Sequence, residues 1–120
     1  MKEKLTKQEL HNLAMNIVGK KLEEEGYEFL GVNSQLKRDP QFVVLKEKKI
    51  SFIVVRAIAY PDPIDDYDKA LLERIRKHAE KFEARTFYAG VGLGHGDDYE
   101  QPVIKDEDFS LMYNGLIEIK

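Results

Sequence analysis

Arg56 is the residue in this 120-residue chain whose position most directly suggests chemistry. It lies in the middle of a run, residues 50–60, that is otherwise apolar on both faces. A strand without a polar face is typical of the centre of a sheet that is covered on both sides. A charge buried there is costly unless it is paired. We therefore expect Arg56 either to have a carboxylate partner or to bind an anion.

A basic cluster late in the second predicted helix is another candidate for anion binding. It consists of Arg74, Arg76, Lys77 and Lys81. Helical spacing places Arg74, Lys77 and Lys81 near one face, which makes these three residues possible phosphate contacts. The alternative is a solvated face whose positive charge complements the helix dipole.

A glycine-rich stretch after the fourth predicted strand is the third candidate, as a possible ligand loop. Its residues are Gly90, Gly92, Gly94 and His95. Glycines allow backbone N–H groups to approach a phosphate closely. The spacing differs from the G-x-G-x-x-G dinucleotide fingerprint, and no helix follows. A strand end weakened by glycine is therefore the alternative interpretation.

Composition excludes several classes of protein. The chain has no cysteine, which excludes disulfides, thiolate zinc sites, thiol nucleophiles and cysteine-ligated iron–sulfur clusters. The net charge of −3 lacks the basic excess of a general nucleic-acid binder. The longest apolar runs, of about six residues, are too short to span a bilayer, and no hydrophobic signal region follows the N-terminus. We expect a cytoplasmic protein without a cofactor or a metal ion.

Caps and periodicity predict the elements that position these residues. Thr6 and Glu9 have the spacing of a capping box, which begins a helix that ends near Gly26. A second helix is predicted over residues 65–82, with three aspartates in its first turn. Strands are predicted at residues 27–32, 41–46, 50–60 and 86–91. The dipeptide Asn114-Gly115 predicts a C-terminal hairpin of residues 109–113 and 116–119.

The element order is therefore α-β-β-β-α-β followed by a β-hairpin. It predicts one α/β domain over residues 1–120, with a central mixed sheet flanked by helices. The hairpin has more apolar side chains than one buried face requires. We therefore expect a homo-oligomer, such as a homodimer, that forms through this hairpin or an adjacent sheet edge, and no membrane partner.

This order, with the apolar strand third, resembles the PD-(D/E)xK (restriction endonuclease-like) nuclease superfamily, in particular its small Holliday-junction-resolvase-like branch. The similarity covers residues 10–93. Three segments carry it. They are Leu22-Glu-Glu-Glu-Gly-Tyr27 before the first strand, Gln41-Phe-Val-Val where the family has Asp-Leu-Ile-Ala, and Val54-Val-Arg56 where the family has Glu-Val-Lys.

The functional positions that this resemblance implies are all replaced. The helix acid, the metal-binding Asp, the Glu and the Lys of the family fall on Asn16, Gln41, Val54 and Arg56. Magnesium requires hard anionic oxygen ligands, which valine and glutamine do not offer. Arginine stays protonated, so it cannot act as a general base. The resemblance therefore implies a remnant pocket of these four residues, with no catalytic residue and no metal.

Three functions follow as hypotheses. The first is a catalytically inactive protein of nuclease-like fold that serves as a binding or assembly module. The second is a nucleic-acid-binding protein whose affinity depends on salt. The third is a binder of a small anion or nucleotide that uses Arg56 and the Gly90–Gly96 loop. The sequence does not support the role of the F subunit of sodium-translocating NADH:quinone reductase. Such a subunit would resemble ferredoxin and flavin reductase modules, whereas this chain has no cysteine for an iron–sulfur cluster and is too short for a flavin domain plus a nicotinamide domain.

Overall fold

The computed structural model describes residues 3–36, 38–60, 62–96, 98 and 101–120. Two helices and six strands follow one another in the predicted order. They are α1 (Lys7–Glu24), β1 (Glu28–Val32), β2 (Phe42–Lys46), β3 (Lys49–Ala59), α2 (Lys69–Glu80), β4 (Arg85–His95), β5 (Phe109–Tyr113) and β6 (Ile117–Ile119).

Helix α1 begins at the predicted capping box. The Thr6 hydroxyl accepts a hydrogen bond from the Glu9 N–H at 3.1 Å, and the Glu9 carboxylate accepts one from the Thr6 N–H at 2.9 Å. Two backbone donors that the first turn leaves free are thereby satisfied. The buried stripe of α1 includes Ala14, Val18 and Leu22, which fixes the helix face that lies on the sheet.

The six strands form one mixed sheet in the order β1-β2-β3-β4-β5, and β6 also pairs with β4. Strands β1, β2 and β3 are successively antiparallel, whereas β3 and β4 are parallel. A parallel pair needs a crossover, which α2 provides. The predicted α/β class, with a central mixed sheet and flanking helices, is confirmed.

Strand β3 separates two layers of the core. Ile53 and Val55 belong to the cluster packed under α1, and Val54 belongs to the smaller cluster packed under α2. All three side chains are fully buried. Successive side chains of a strand point to opposite faces, so a strand covered on both sides must be apolar throughout.

Helix α2 is shorter than predicted. It begins at Lys69, and the carboxylate of Asp68 caps it by accepting a hydrogen bond from the Leu71 N–H at 3.1 Å. The placement of Asp65, Asp66 and Asp68 inside the first turn was therefore wrong. The preceding turn is held against β4, because the Tyr88 hydroxyl donates a hydrogen bond to the Ile64 carbonyl at 2.8 Å.

The two C-terminal strands are present on either side of Asn114-Gly115, and both pair with β4. Strand β5 pairs antiparallel with residues 91–95 of β4, and β6 pairs antiparallel with residues 86–88. The two strands therefore lie end to end along one edge of β4. Gly115, in the connection between β5 and β6, has a φ of 91°, which glycine adopts readily.

Candidate functional site

Arg56 forms a bidentate ion pair with Asp39. Its Nη1 lies 2.7 Å from Asp39 Oδ1, and its Nη2 lies 2.8 Å from Asp39 Oδ2. The same Nη1 donates a hydrogen bond to the Val55 carbonyl at 3.0 Å. Of the two alternatives for Arg56, the structure therefore has the carboxylate partner. The anion-binding alternative loses its principal cation, because both terminal nitrogens of the guanidinium are engaged by Asp39.

Gln41 completes the same network. Its side chain is fully buried, and its Oε1 accepts a hydrogen bond from the Val55 N–H at 2.7 Å. Its Nε2 donates to the Arg38 carbonyl at 3.1 Å and to Asp39 Oδ1 at 2.9 Å. Strand β2 begins only at the next residue, so the Gln41 side chain takes the place of a strand neighbour by satisfying the Val55 N–H. The side chains of Gln41 and Arg56 therefore form hydrogen bonds that stabilise this part of the sheet.

The electrostatics of this network extend to His11, a buried residue of α1. Burial lowers the pKa of His11, the charge of Arg56 lowers it further, and Asp39 acts in the opposite direction. Burial by itself would raise the pKa of Asp39, but hydrogen bonds from Arg56 and Gln41 and the Arg56 charge bring it below the ordinary value. Neither ring nitrogen of His11 has a hydrogen-bond partner within the described residues.

The four positions predicted as a remnant pocket are not gathered in one hollow. Val54 shares the α2 face of the sheet with Arg56, two residues further along β3, but its side chain is fully buried in the smaller core cluster. Asn16 belongs to α1 on the opposite face, where it lines an open groove of about 640 Å³ between α1 and the first two strands. The four-residue pocket was therefore wrong. Only Gln41 and Arg56 are joined, and Asp39, which the prediction lacked, joins them.

A cleft of about 500 Å³ lies between α2 and the connection from β1 to β2. Its lining residues are Asn33, Arg38, Asp39, Pro40, Leu71, Arg74, Ile75 and His78. We call it the arginine cleft, after Arg38 and Arg74. Of the three predicted phosphate contacts, Arg74 lines this cleft, whereas Lys77 and Lys81 are exposed elsewhere on or beside the helix end.

The glycine-rich stretch is part of β4 and not a loop. Strand β4 continues to His95 and pairs with β3 on one side and β5 on the other. A Cβ atom at Gly90 would lie 2.0 Å from the Ile64 carbonyl oxygen, so this glycine allows the turn before α2 to pack directly on β4. The prediction that Gly90, Gly92, Gly94 and His95 form a loop was therefore wrong, and the alternative of a glycine-rich strand end describes them.

The described residues contain neither a candidate metal site nor a candidate membrane-spanning helix. Within the part of the chain that the structure describes, no three His, Cys, Asp or Glu side chains gather into a group that could hold a metal ion. No helix among the described residues combines the length and apolar character needed to cross a bilayer.

Sequence reasoning missed Asp39 and Arg38, because both lie in a connection that carries no periodicity. A partial signal existed for Asp39. The position of Arg56 required a carboxylate, and Asp39 is the acid closest in sequence to Gln41, at the start of the adjacent strand. The role of His11 gave no signal, since its burial depends on how α1 lies on the sheet.

Comparison with known proteins identifies the family to which the chain belongs. None of the curated proteins and none of the solved structures matches the chain. One family model matches residues 8–119, which include α2, all of α1 except its first residue, the Arg56–Asp39–Gln41 network and the arginine cleft. Because the match spans nearly the whole chain, the protein belongs to the family described as Domain of unknown function (DUF8840).

Proposed function

We propose that this protein is a non-catalytic assembly module, in which two copies join through the edge of the sheet formed by β5. The element order that suggested a nuclease-like scaffold is present, but Asn16 lies on the other face of the sheet, and Gln41 and Arg56 are engaged in structural contacts. The proposal therefore relies on the sheet edge and not on a remnant active site.

The observation that carries the proposal is the character of β5. This strand is at the end of the sheet order, so its outer backbone groups have no strand neighbour among the described residues. Its five residues, Phe109 to Tyr113, include no charge and no proline. Phe109, Leu111 and Met112 are 37%, 51% and 47% exposed. Natural edge strands usually carry charges, prolines or bulges that prevent pairing, and β5 has none of these.

The opposite edge of the sheet, β1, differs in this respect. Its pairing with β2 shifts register between Phe29 and Gly31, which interrupts the regular edge. It also carries the charged Glu28. An irregular edge is a poor template for another strand, even though Leu30 and Val32 are exposed. The comparison favours β5 as the pairing edge.

An isologous antiparallel pair of β5 strands would join two sheets into one continuous sheet. The pairing segment is limited to β5, because β6 has only three residues and the charged Glu118 lies at its centre. Five residues a strand give a small interface, below the standard size of stable complexes. We therefore expect a dimer with a dissociation constant on the order of micromolar.

Analytical ultracentrifugation over a concentration series tests the proposal. The variant Leu111→Lys places a charge at the middle of β5, on a side chain that is 51% exposed, so we expect it to fold, which circular dichroism checks. The matched control is Val32→Lys, on the other edge at 61% exposure. We expect the wild type and Val32→Lys to dimerise and Leu111→Lys to remain monomeric. A wild type that stays monomeric at high concentration, or loss of the dimer in Val32→Lys only, contradicts the proposal.

A further inference from the structure

The arginine cleft contains the two arginines of the chain that have no carboxylate partner among the described residues. The chain has five arginines. Arg56, Arg76 and Arg85 each form an ion pair with an acidic side chain. Arg38 and Arg74 form none within the described residues, and both line the same cleft. The positive charge of the arginines that is not neutralised by an ion pair among the described residues is therefore concentrated at this cleft.

The acids closest in sequence to these arginines are engaged elsewhere. Asp39 directs its carboxylate inward to Arg56, and its side chain is only 9% exposed. On α2, Glu73 and Glu80 both pair with Arg76, so neither pairs with Arg74. The local charge of the cleft is therefore positive, although the chain as a whole carries a net charge of −3.

The backbone of Arg38 is fixed by contacts on both sides. Its N–H donates a hydrogen bond to the Gln35 carbonyl at 3.2 Å, and its carbonyl accepts one from the buried Gln41 side chain at 3.1 Å. On the opposite wall, Arg74 belongs to a regular helix. The two cations are thus presented from supports that are already ordered, which lowers the entropic cost of binding a ligand.

The other walls of the cleft indicate what kind of anion fits. Leu71, Ile75 and Pro40 are apolar lining residues, and His78 lines the cleft beside Arg74. The His78 ring packs edge-on against Phe82, with ring centroids 5.3 Å apart, and Phe82 is 54% exposed. Guanidinium groups bind phosphate oxygens in a bidentate manner, and exposed rings offer a surface on which a nucleobase stacks.

We propose that the arginine cleft binds the phosphate group of a nucleotide, with Arg38 and Arg74 on the phosphate and the His78–Phe82 rings beside the base. The nucleotide is either free or part of a single strand, because both sources present the same phosphate and base. The site does not depend on the proposed β5 dimer, which lies at the end of the sheet beyond β4. The negative net charge gives no long-range attraction for polyanions, so the cleft itself must supply the affinity.

The test measures binding of three probes to the full chain by isothermal titration calorimetry at low salt. The probes are inorganic phosphate, adenosine monophosphate and a short single-stranded oligonucleotide. The variants are Arg38→Gln and Arg74→Gln. The control, Lys21→Gln, removes the same charge from an exposed position of α1, on the other face of the sheet. A fifth protein, Phe82→Ala, tests the contribution of the ring.

We expect at least one probe to bind, with affinity about tenfold weaker in each arginine variant and unchanged in Lys21→Gln. The tightest probe identifies the source of the phosphate, and Phe82→Ala should remove the preference for adenosine monophosphate over inorganic phosphate. Failure of all three probes to bind overturns the proposal. So does an equal loss in Lys21→Gln and Arg74→Gln, since that result would reflect the net charge and not a local contact. Circular dichroism of each variant checks that it is folded.

Discussion

The ion pair between Arg56 and Asp39 gives the sharpest test of how the centre of the sheet is held. The pair has two hydrogen bonds of 2.7 and 2.8 Å, and the side chains are 22% and 9% exposed. Removing one partner of a buried pair leaves an uncompensated charge and typically costs about 3–5 kcal/mol. Because the Arg56 side chain is 22% exposed, we expect the lower end of that range, about 3 kcal/mol, for either single variant.

The two single variants leave different groups unpaired. Arg56→Met leaves the Asp39 carboxylate with Gln41 as its remaining side-chain hydrogen-bond donor among the described residues. Asp39→Asn leaves the guanidinium without a carboxylate, with only neutral acceptors, the new amide oxygen and the Val55 carbonyl. In the double variant neither charge is stranded, so its cost should fall below the sum of the two single costs. We expect a coupling free energy of about 2 kcal/mol.

The Arg85–Glu118 pair is a matched control within the same chain. It is also bidentate, with distances of 2.9 and 2.6 Å, and it also joins residues distant in sequence. Its side chains are 49% and 24% exposed, so water competes for both charges. We expect a coupling free energy below about 1 kcal/mol for the cycle Arg85→Met and Glu118→Gln.

Urea denaturation of all seven proteins at neutral pH measures both cycles. We expect the coupling free energy of the buried pair to exceed that of the exposed pair by about 1 kcal/mol. Additive costs for Arg56 and Asp39, or equal coupling in the two pairs, would show that burial does not determine the strength of these contacts. A change in the denaturant slope in one variant would instead indicate that the native or unfolded state itself has changed.

Two further predictions concern buried positions. Because burial lowers the pKa of His11 in the folded state, the unfolded state binds more protons as the pH falls through about 6.5, so stability should decrease from pH 7 to pH 5. The variant His11→Met should remove this decrease in a pH series of urea melts. Asp39, whose pKa is lowered in the folded state, does not interfere, because its contribution to the free energy of unfolding is lost only below about pH 4. Gly90→Ala should destabilise the protein by at least about 3 kcal/mol, since its Cβ would lie 2.0 Å from the Ile64 carbonyl oxygen; a thermal melt that matches the wild type would contradict this packing.

Local signals in the sequence were sufficient for most elements. The start of α1 follows from Thr6 and Glu9, whose side chains satisfy backbone donors within one turn. The central position of β3 follows from its apolar residues on both faces, because only a doubly covered strand tolerates that pattern. These features depend on contacts close in sequence or on burial alone, so no knowledge of the tertiary structure was needed.

The errors fall where distant segments meet. Helix α2 was predicted to begin at Asp65, but the Tyr88 hydroxyl holds the Ile64 carbonyl and keeps the preceding turn out of the helix. Strand β4 was predicted to end near Val91, yet it continues to His95 because β3 and β5 supply neighbours for a glycine-rich segment with low strand propensity. Both outcomes depend on segments distant in sequence, which local patterns do not encode.

The sequence by itself determined the α/β class, the order of the elements and the requirement that Arg56 be neutralised, because composition, periodicity and the cost of a buried charge act along the chain. The tertiary structure decided which group neutralises it and which cations lie at the cleft. Asp39 and Arg38 are adjacent in sequence, yet the fold turns one carboxylate inward to Arg56 and places the neighbouring guanidinium at the cleft with Arg74. Charges at neighbouring positions acquire opposite roles only when the sheet and α2 fix the direction in which each one points.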